Sequence, residues 1–204
     1  CVMRHIPIFT FINKLDRDSR NPFDLLTQIE EELGIATCPM NWPIGNGVDF
    51  KGVYDRGSRK VISYTANGGQ REVESVEAEP GDPCLDSLIG EANHRQLSED
   101  IELLDGASDE LDLERVAKGE LSPVFFGSAL NNFGVEPFLE GFLKMTSPPL
   151  PRMSDKGIIE PTDDVFSAFV FKIQANMNKA HRDRLTFMRI CSGKFERDKE
   201  YFHV

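Results

Sequence analysis

The stretch Ile6-Pro7-Ile8-Phe9-Thr10-Phe11-Ile12-Asn13-Lys14-Leu15-Asp16 decides the fold of this chain, because it joins an apolar run to a polar tetrapeptide. The run over residues 6–12 predicts a strand that is apolar on both faces, as strands of parallel sheets are. Such sheets bind ligands at the carboxyl ends of their strands, where the tetrapeptide lies. The tetrapeptide therefore predicts a binding loop, and the plainer interpretation is a polar turn after a strand.

Asn-Lys-x-Asp in this position indicates that the loop reads guanine. Guanine presents two adjacent donors, the ring N1–H and the exocyclic amine, and one carboxylate accepts both in a bidentate pair. Adenine has no hydrogen on N1, so Asp16 would discriminate between the two purines. Lys14 would lay its aliphatic stem on the base, and Asn13 would hold the loop while facing the O6/N7 edge.

A second short apolar run that ends in a small-residue turn supports this interpretation. It is Phe125-Phe126-Gly127-Ser128-Ala129-Leu130, and nucleotide-binding folds place their second base loop at such a strand end. The backbone amide of Ala129 would donate to guanine O6, and Leu130 would pack on a face of the base. The residues that we expect to bind guanine are Asn13, Lys14, Asp16, Ser128, Ala129 and Leu130.

The sequence contains no G-x-x-x-x-G-K-[ST] motif, which holds the phosphates in nucleotide hydrolases of this class. Asp49-Phe50-Lys51-Gly52 imitates the metal-binding Asp-x-x-Gly motif, but it follows the base motif instead of preceding it. We therefore expect no catalytic residue and no metal ligand in the chain. Since the chain begins directly before one strand and stops within another, we expect an internal fragment of a larger protein.

Charge is unevenly distributed along the 204 residues, whose net charge is −11. Residues 71–120 carry 16 acidic and 4 basic side chains, whereas residues 165–204 carry 8 basic and 4 acidic ones. The acidic segment would repel nucleic acid, and the basic segment would accept it. No apolar stretch has the length of a membrane span or a signal peptide, and the cysteines lack metal-binding spacing. These features predict a reduced, cytoplasmic setting without a membrane partner.

Periodicity and turn residues predict the order of helices and strands. A helix begins after the N-cap Asn21, with Pro22 at its first position, and ends at Gly34. Further helices are predicted near residues 85–90, 95–104, 111–117 and 135–145, and further strands over residues 50–54, 61–66, 71–78, 165–173 and 184–192. The loop before the last strand is basic, and we expect it to face outward: Lys179, His181, Arg182 and Arg184.

In this order the motifs resemble those of the bacterial release factor three family of translational GTPases. The resemblance covers nearly the whole chain and rests on the segments Pro7 to Asp18, Trp42-Pro43-Ile44-Gly45-Asn46-Gly47, Phe50-Lys51-Gly52-Val53-Tyr54 and Phe169 to Met177. It implies a ribosome-stimulated GTPase that promotes the release and recycling of codon-reading release factors. The alternatives are an elongation factor G-like translocation GTPase and a non-catalytic RNA- or protein-binding module.

The resemblance also implies an α/β fold in a defined arrangement. Residues 1–46 and 119–147 would form the C-terminal half of a P-loop-type GTPase domain, with residues 47–118 as an inserted, acidic α+β subdomain. Residues 148–164 would be a linker, and residues 165–204 would begin an antiparallel β-barrel domain.

The same resemblance implies the ligands and partners of the whole protein. It would bind GTP or GDP with Mg²⁺, whose ligands are not in this chain, so the chain alone would be inactive. Its partners would be the ribosome and codon-reading release factors, with the basic loop on ribosomal RNA phosphates. The strand over residues 6–12 would leave an exposed edge through which the chain self-associates.

Overall fold

The chain folds as two units, residues 1–146 and residues 147–204. The computed structural model describes residues 6–67, 70–175 and 184–203. In the first unit the strands are β1 (Thr10–Ile12), β2 (Ala36–Pro39), β3 (Asn41–Ile44), β4 (Gly52–Asp55), β5 (Lys60–Asn67), β6 (Gln70–Glu77) and β7 (Leu121–Phe126). Its helices are α1 (Pro22–Leu33), α2 (Cys84–Ile89), α3 (Glu91–Ala107), α4 (Leu113–Lys118) and α5 (Val135–Met145).

A three-stranded parallel sheet carries both predicted base loops. Its strand order is β1-β7-β2, and all six residues of the central strand β7 are buried. β1 and β7 run in parallel, with Ile12 opposite Phe126, so the loops that follow them leave the same edge of the sheet. The strand predicted over residues 6–12 is shorter in the structure, because only residues 10–12 pair with β7.

A four-stranded antiparallel sheet, in the order β3-β4-β5-β6, packs against the parallel one. The side chain of Asn41 on β3 connects the two sheets: it accepts a hydrogen bond of 2.7 Å from the Phe126 amide and donates one of 3.1 Å to the Phe126 carbonyl. This sheet begins at Asn41, before residue 47 where the sequence places the start of the inserted subdomain.

One hydrophobic core runs through the GTPase-like part and the acidic region alike. It contains Leu15 and Phe126 beside the base loops, Trp42 on β3, and Leu97 and Ile101 on α3. The indole Nε1–H of Trp42 donates to Asp100 over 2.8 Å, so the tryptophan is a core residue that also fixes α3. The acidic helices place leucine and isoleucine in the core, and carboxylates such as Glu99 and Glu102 are exposed.

Helix α1 confirms the capping prediction at both ends. The side chain of Asn21 accepts a hydrogen bond from the Phe23 amide, and Pro22 is the first helical residue. Gly34 ends the helix in the left-handed conformation, with its amide bonded to the Glu30 carbonyl. These caps are local features, which is why the sequence alone locates them.

In the described part of the second unit, four strands form two antiparallel pairs. β8 (Arg152–Ser154) pairs with β9 (Gly157–Ile159), and β10 (Ser167–Ala175) pairs with β11 (Arg184–Ser192). β11 has its predicted bounds, and β10 lies two residues later than predicted. The segment 148–164, which the sequence gives as a linker, therefore contains a hairpin. Phe169 and Phe171 on β10 are exposed in the described part of the unit.

Candidate nucleotide site

The loop after β1 continues the sheet and then exposes its polar residues. The Gly127 amide donates to the Ile12 carbonyl over 3.0 Å, and the Leu15 amide donates to the Gly127 carbonyl over 3.2 Å. Leu15 is buried in the core, so the residues on either side of it, Lys14 and Asp16, reach toward solvent. Lys14 has a φ of 73°, which marks the tight turn of the backbone at this point.

The side chain of Asn13 ties the two predicted base loops together. Its Oδ1 accepts one hydrogen bond of 2.8 Å from the Lys14 amide and another of 2.8 Å from the Ala129 amide. Through the bond from Ala129, Asn13 connects the first loop to the second, in addition to the bond within its own loop. The Ala129 amide, for which the sequence suggests guanine O6 as the acceptor, donates to Asn13 in this structure.

The second loop closes on itself before it enters α5. The Ser128 amide donates to the Phe133 carbonyl over 2.8 Å, and the Phe133 amide donates to the Ser128 carbonyl over 2.9 Å. Ser128 is fully buried at the base of the loop. Ala129 and Leu130 are exposed, and Leu130 presents 77% of its surface to solvent. The loop therefore displays an apolar side chain beside the residue that Asn13 holds.

The Trp-Pro-Ile-Gly-Asn-Gly segment supports the first loop from behind. The Gly47 amide donates to the Leu15 carbonyl over 2.9 Å, and the Asn46 side chain reaches the Ser19 carbonyl over 3.5 Å. Gly47 has a φ of 60°, and a Cβ there would lie 2.6 Å from Oδ1 of Asp18. Only glycine fits this position without strain. Sequence reasoning missed this support, although the two closely spaced glycines were a signal for it.

Aromatic side chains of β5 and of the turn before β4 support the second loop. The ring of Phe133 stacks on Tyr64 of β5, with centroids 4.3 Å apart, and on Phe50, with centroids 5.8 Å apart. The Gly134 amide donates to the Tyr64 hydroxyl over 2.7 Å. Burial raises the pKa of Tyr64, against the opposing effect of the Gly134 hydrogen bond. Sequence reasoning did not predict these contacts, because they join distant segments.

Asp16 is the residue that the sequence predicts to read the N1 edge of guanine. It is partly exposed, and its carboxylate makes no hydrogen bond or ion pair with the described residues. A carboxylate is an acceptor only, so it matches the donor pair on the N1 edge of guanine. Lys14 and Leu130 supply exposed aliphatic surface on the two loops, and such surface suits the faces of a base. The two loops thus display these residues at the same edge of the parallel sheet.

The other predicted contacts lie partly beyond the described residues. Lys179, His181 and Arg182 fall outside them, and Arg184 is exposed at the start of β11, opposite Ala175. Within the described ranges, no group of three or more His, Cys, Asp and Glu side chains is placed to hold a metal ion. None of the helices found there is long and apolar enough to cross a membrane.

Curated relatives align with the whole chain but extend well beyond it. Proteins named Peptide chain release factor 3 are 54% identical in Symbiobacterium thermophilum, 50% in Acaryochloris marina and 51% in Gloeobacter violaceus. Each match covers 100% of this chain and 38–39% of the relative. The chain thus spans about two fifths of the length of these relatives.

A crystal structure from Thermus thermophilus has a related fold, with a TM-score of 0.53 and 20% identity. The alignment covers 94% of this chain and 28% of that chain. The family model of elongation factor G domain 2 matches residues 165–204, and that of the elongation factor Tu GTP binding domain matches residues 1–148. Because the second model takes in both base loops and most of the sequence, the chain belongs to the elongation factor Tu GTP-binding domain family of translational GTPases.

Proposed function

We propose that this chain is the guanine-reading part of a ribosome-dependent GTPase that stimulates the release and recycling of codon-specific release factors. The observation that carries the proposal is the hydrogen bond from the Ala129 amide to Asn13, which brings the two predicted base loops together. The relatives that match the whole chain are named Peptide chain release factor 3, and this name favours termination over the elongation factor G alternative.

Each loop residue has a separate role in this proposal. Asp16 accepts hydrogen bonds from N1–H and the exocyclic amine, and its lack of a partner among the described residues leaves both oxygens free to do so. Lys14 and Leu130 contact the faces of the base. Asn13, Ser128 and the backbone of Ala129 hold the two loops at a fixed spacing.

The hydrolytic chemistry belongs to groups that this chain does not supply. Bound GTP brings the scissile phosphoryl group and, with Mg²⁺, the charge neutralisation that phosphoryl transfer needs. Among the described residues, no three or more His, Cys, Asp and Glu side chains are grouped to hold a metal ion. In this proposal the chain binds the base, and the contacts to Mg²⁺ and the phosphates come from the parts of the relatives that extend beyond it.

The finer architecture and the partners are part of the same proposal. Residues 1–46 and 119–147 belong to the C-terminal half of a P-loop-type GTPase domain, and residues 47–118 form its acidic insertion, whose sheet also takes in β3. Residues 165–204 open an antiparallel β-barrel. The basic loop of Lys179, His181, Arg182 and Arg184 contacts ribosomal RNA phosphates, and the protein works in the cytoplasm with the ribosome and codon-reading release factors.

The experiment that tests base recognition exchanges one oxygen for one nitrogen. Asp16→Asn removes the acceptor for the guanine amine and offers a donor to the carbonyl that xanthine has in its place. We expect the variant to weaken GDP binding and to favour xanthosine diphosphate. Ligand-detected nuclear magnetic resonance measures both, because it registers the weak binding expected without phosphate contacts.

Asp18→Asn is the matched control for this measurement. Asp18 is an exposed neighbour with the same charge, so its substitution changes the net charge equally. We expect Asp18→Asn to retain the preference of the parent chain for GDP over xanthosine diphosphate. Unchanged guanine selectivity in Asp16→Asn would remove Asp16 from the site and overturn the proposed function.

A further inference from the structure

The antiparallel sheet reaches the second base loop through an aromatic contact. Tyr64 on β5 stacks on Phe133 with an interplanar angle of 13° and a centroid distance of 4.3 Å. Phe50, which is buried, stacks on the same ring with an interplanar angle of 29°. Stacked aromatic pairs contribute stability beyond their buried area. The ring at the end of the loop is therefore held by side chains outside the parallel sheet.

The hydroxyl of Tyr64 adds a directional contact. It accepts a hydrogen bond of 2.7 Å from the amide of Gly134, the residue just before α5. Amides at the start of a helix have no acceptor within the helix, so an outside oxygen is needed. Gly134 has a φ of 72°, and a Cβ there would lie 2.5 Å from the Phe126 carbonyl oxygen. Tyr64 thus binds the backbone where it passes close to the end of β7.

Phe133 is hydrogen-bonded to Ser128, which directly precedes the loop residues proposed to contact the base. Its amide and carbonyl exchange hydrogen bonds of 2.9 and 2.8 Å with Ser128. Ser128 is followed by Ala129, which is bonded to Asn13, and by the exposed Leu130. The contact of Tyr64 with Phe133 and the hydrogen bonds of Phe133 with Ser128 therefore connect β5 to the loop that carries Leu130.

We propose that Tyr64 and Phe133 are positioning residues of the guanine site, through which the antiparallel sheet holds the Ser128-Ala129-Leu130 loop in its binding arrangement. This inference rests on the proposed function, since it assigns a role to a loop that the proposal places on the base. It gives the antiparallel sheet, which contains Tyr64, a part in nucleotide binding.

The variants that test it separate the hydroxyl from the ring. Tyr64→Phe keeps the stack and removes the acceptor of the Gly134 amide. Tyr54→Phe is the matched control: Tyr54 lies in β4 of the same sheet, and its buried hydroxyl has no hydrogen-bond partner within the described residues. Phe133→Leu removes the ring, and Phe133→Tyr retains it as a conservative rescue.

Amide hydrogen exchange measures how firmly the loop is held, and it needs no bound nucleotide. Losing one hydrogen bond lowers the local opening free energy, so Tyr64→Phe should speed exchange at residues 128–134 by roughly two- to tenfold. Tyr54→Phe and Phe133→Tyr should leave exchange there unchanged, and Phe133→Leu should speed it. Equal exchange in Tyr64→Phe and Tyr54→Phe would overturn the inference. An increase spread over the whole unit would do the same, because it would give Tyr64 a role in stability alone.

Binding of GDP and inosine diphosphate tests the consequence for the site. Leu130 contacts a base face that guanine and hypoxanthine share, whereas Asp16 alone reads the amine that hypoxanthine lacks. Tyr64→Phe should therefore lower both affinities by the same factor, up to about tenfold, and leave their ratio unchanged. A changed ratio would overturn the inference. If the parent chain binds neither nucleotide, the proposed function fails, and the exchange result alone decides whether Tyr64 positions the loop.

Discussion

At the scale of single residues, side-chain amides replace backbone pairing where two segments meet without a regular ladder. Asn41 is fully buried and pairs with both the amide and the carbonyl of Phe126, as a neighbouring strand would. In the same way, Oδ1 of Asn13 accepts hydrogen bonds from one backbone amide in each of the two loops. The bonds of Asn41 satisfy buried backbone groups that would be costly to leave unpaired, and those of Asn13 order two exposed loops. The candidate site depends on these two residues for its shape.

Cys38 gives a prediction at the same scale. It is 3% exposed, and burial raises the pKa of its thiol, an effect only partly offset by Arg56. The thiolate is the reactive form, so at about pH 8 a thiol reagent should modify the exposed Cys84 and leave Cys38 intact until urea unfolds the chain. Mass spectrometry of the labelled chain measures both sites. Equal labelling rates in the folded chain would contradict the burial of Cys38.

The raised pKa also fixes the sign of a pH effect. The unfolded chain releases the Cys38 proton at a lower pH than the folded chain. The stabilisation that the neutral Cys38 thiol adds to the free energy of unfolding is therefore fully present below the pKa of the unfolded chain. It is lost as the pH rises through the pKa of the folded chain. The urea concentration at the midpoint of unfolding should therefore decrease as the pH rises into the alkaline range. Cys38→Ala should reduce that decrease more than Cys84→Ala does.

At the scale of elements, local signals were enough for some segments and not for others. The caps of α1 and the bounds of β11 follow from residues within a few positions, so the sequence predicts them. The β8–β9 hairpin has three-residue strands and no long alternating pattern, and it was missed. β1 is shortened because only part of its apolar run faces β7. The partner of the Ala129 amide depends on a residue far along the chain, which no local pattern encodes.

β1 and α5 carry a prediction about self-association. β1 pairs with β7 alone among the described strands, and α5 exposes Leu139, Phe142 and Leu143. An unpaired strand edge beside an apolar helix face favours association between copies. Sedimentation should therefore show concentration-dependent association that Leu143→Lys weakens. Leu103→Lys, on an exposed leucine of α3, is the control and should leave it unchanged. A clean monomer at every concentration would contradict the prediction.

At the scale of the whole molecule, the base loops and the described fold predict binding without turnover. The proposed site reads the base alone, and the described residues contain no group of three or more His, Cys, Asp and Glu side chains placed to hold a metal ion. We therefore expect purified chain to bind guanine nucleotides weakly and to release no phosphate from GTP above background. Phosphate release by the parent chain and by Asp16→Asn measures this. Sustained phosphate release by highly purified chain, through several purification steps and unchanged by Asp16→Asn, would contradict the prediction.

The Asn13–Ala129 hydrogen bond has a consequence for the time at which the site forms during synthesis. It joins residues 116 positions apart, and the acidic region lies between them. At a typical elongation rate, roughly 6 to 23 seconds separate the synthesis of the two loops. During that interval Asp16 exists on a nascent chain that has only one side of its site. Guanine binding by chains stalled at successive lengths should therefore appear only after the second loop has left the exit tunnel.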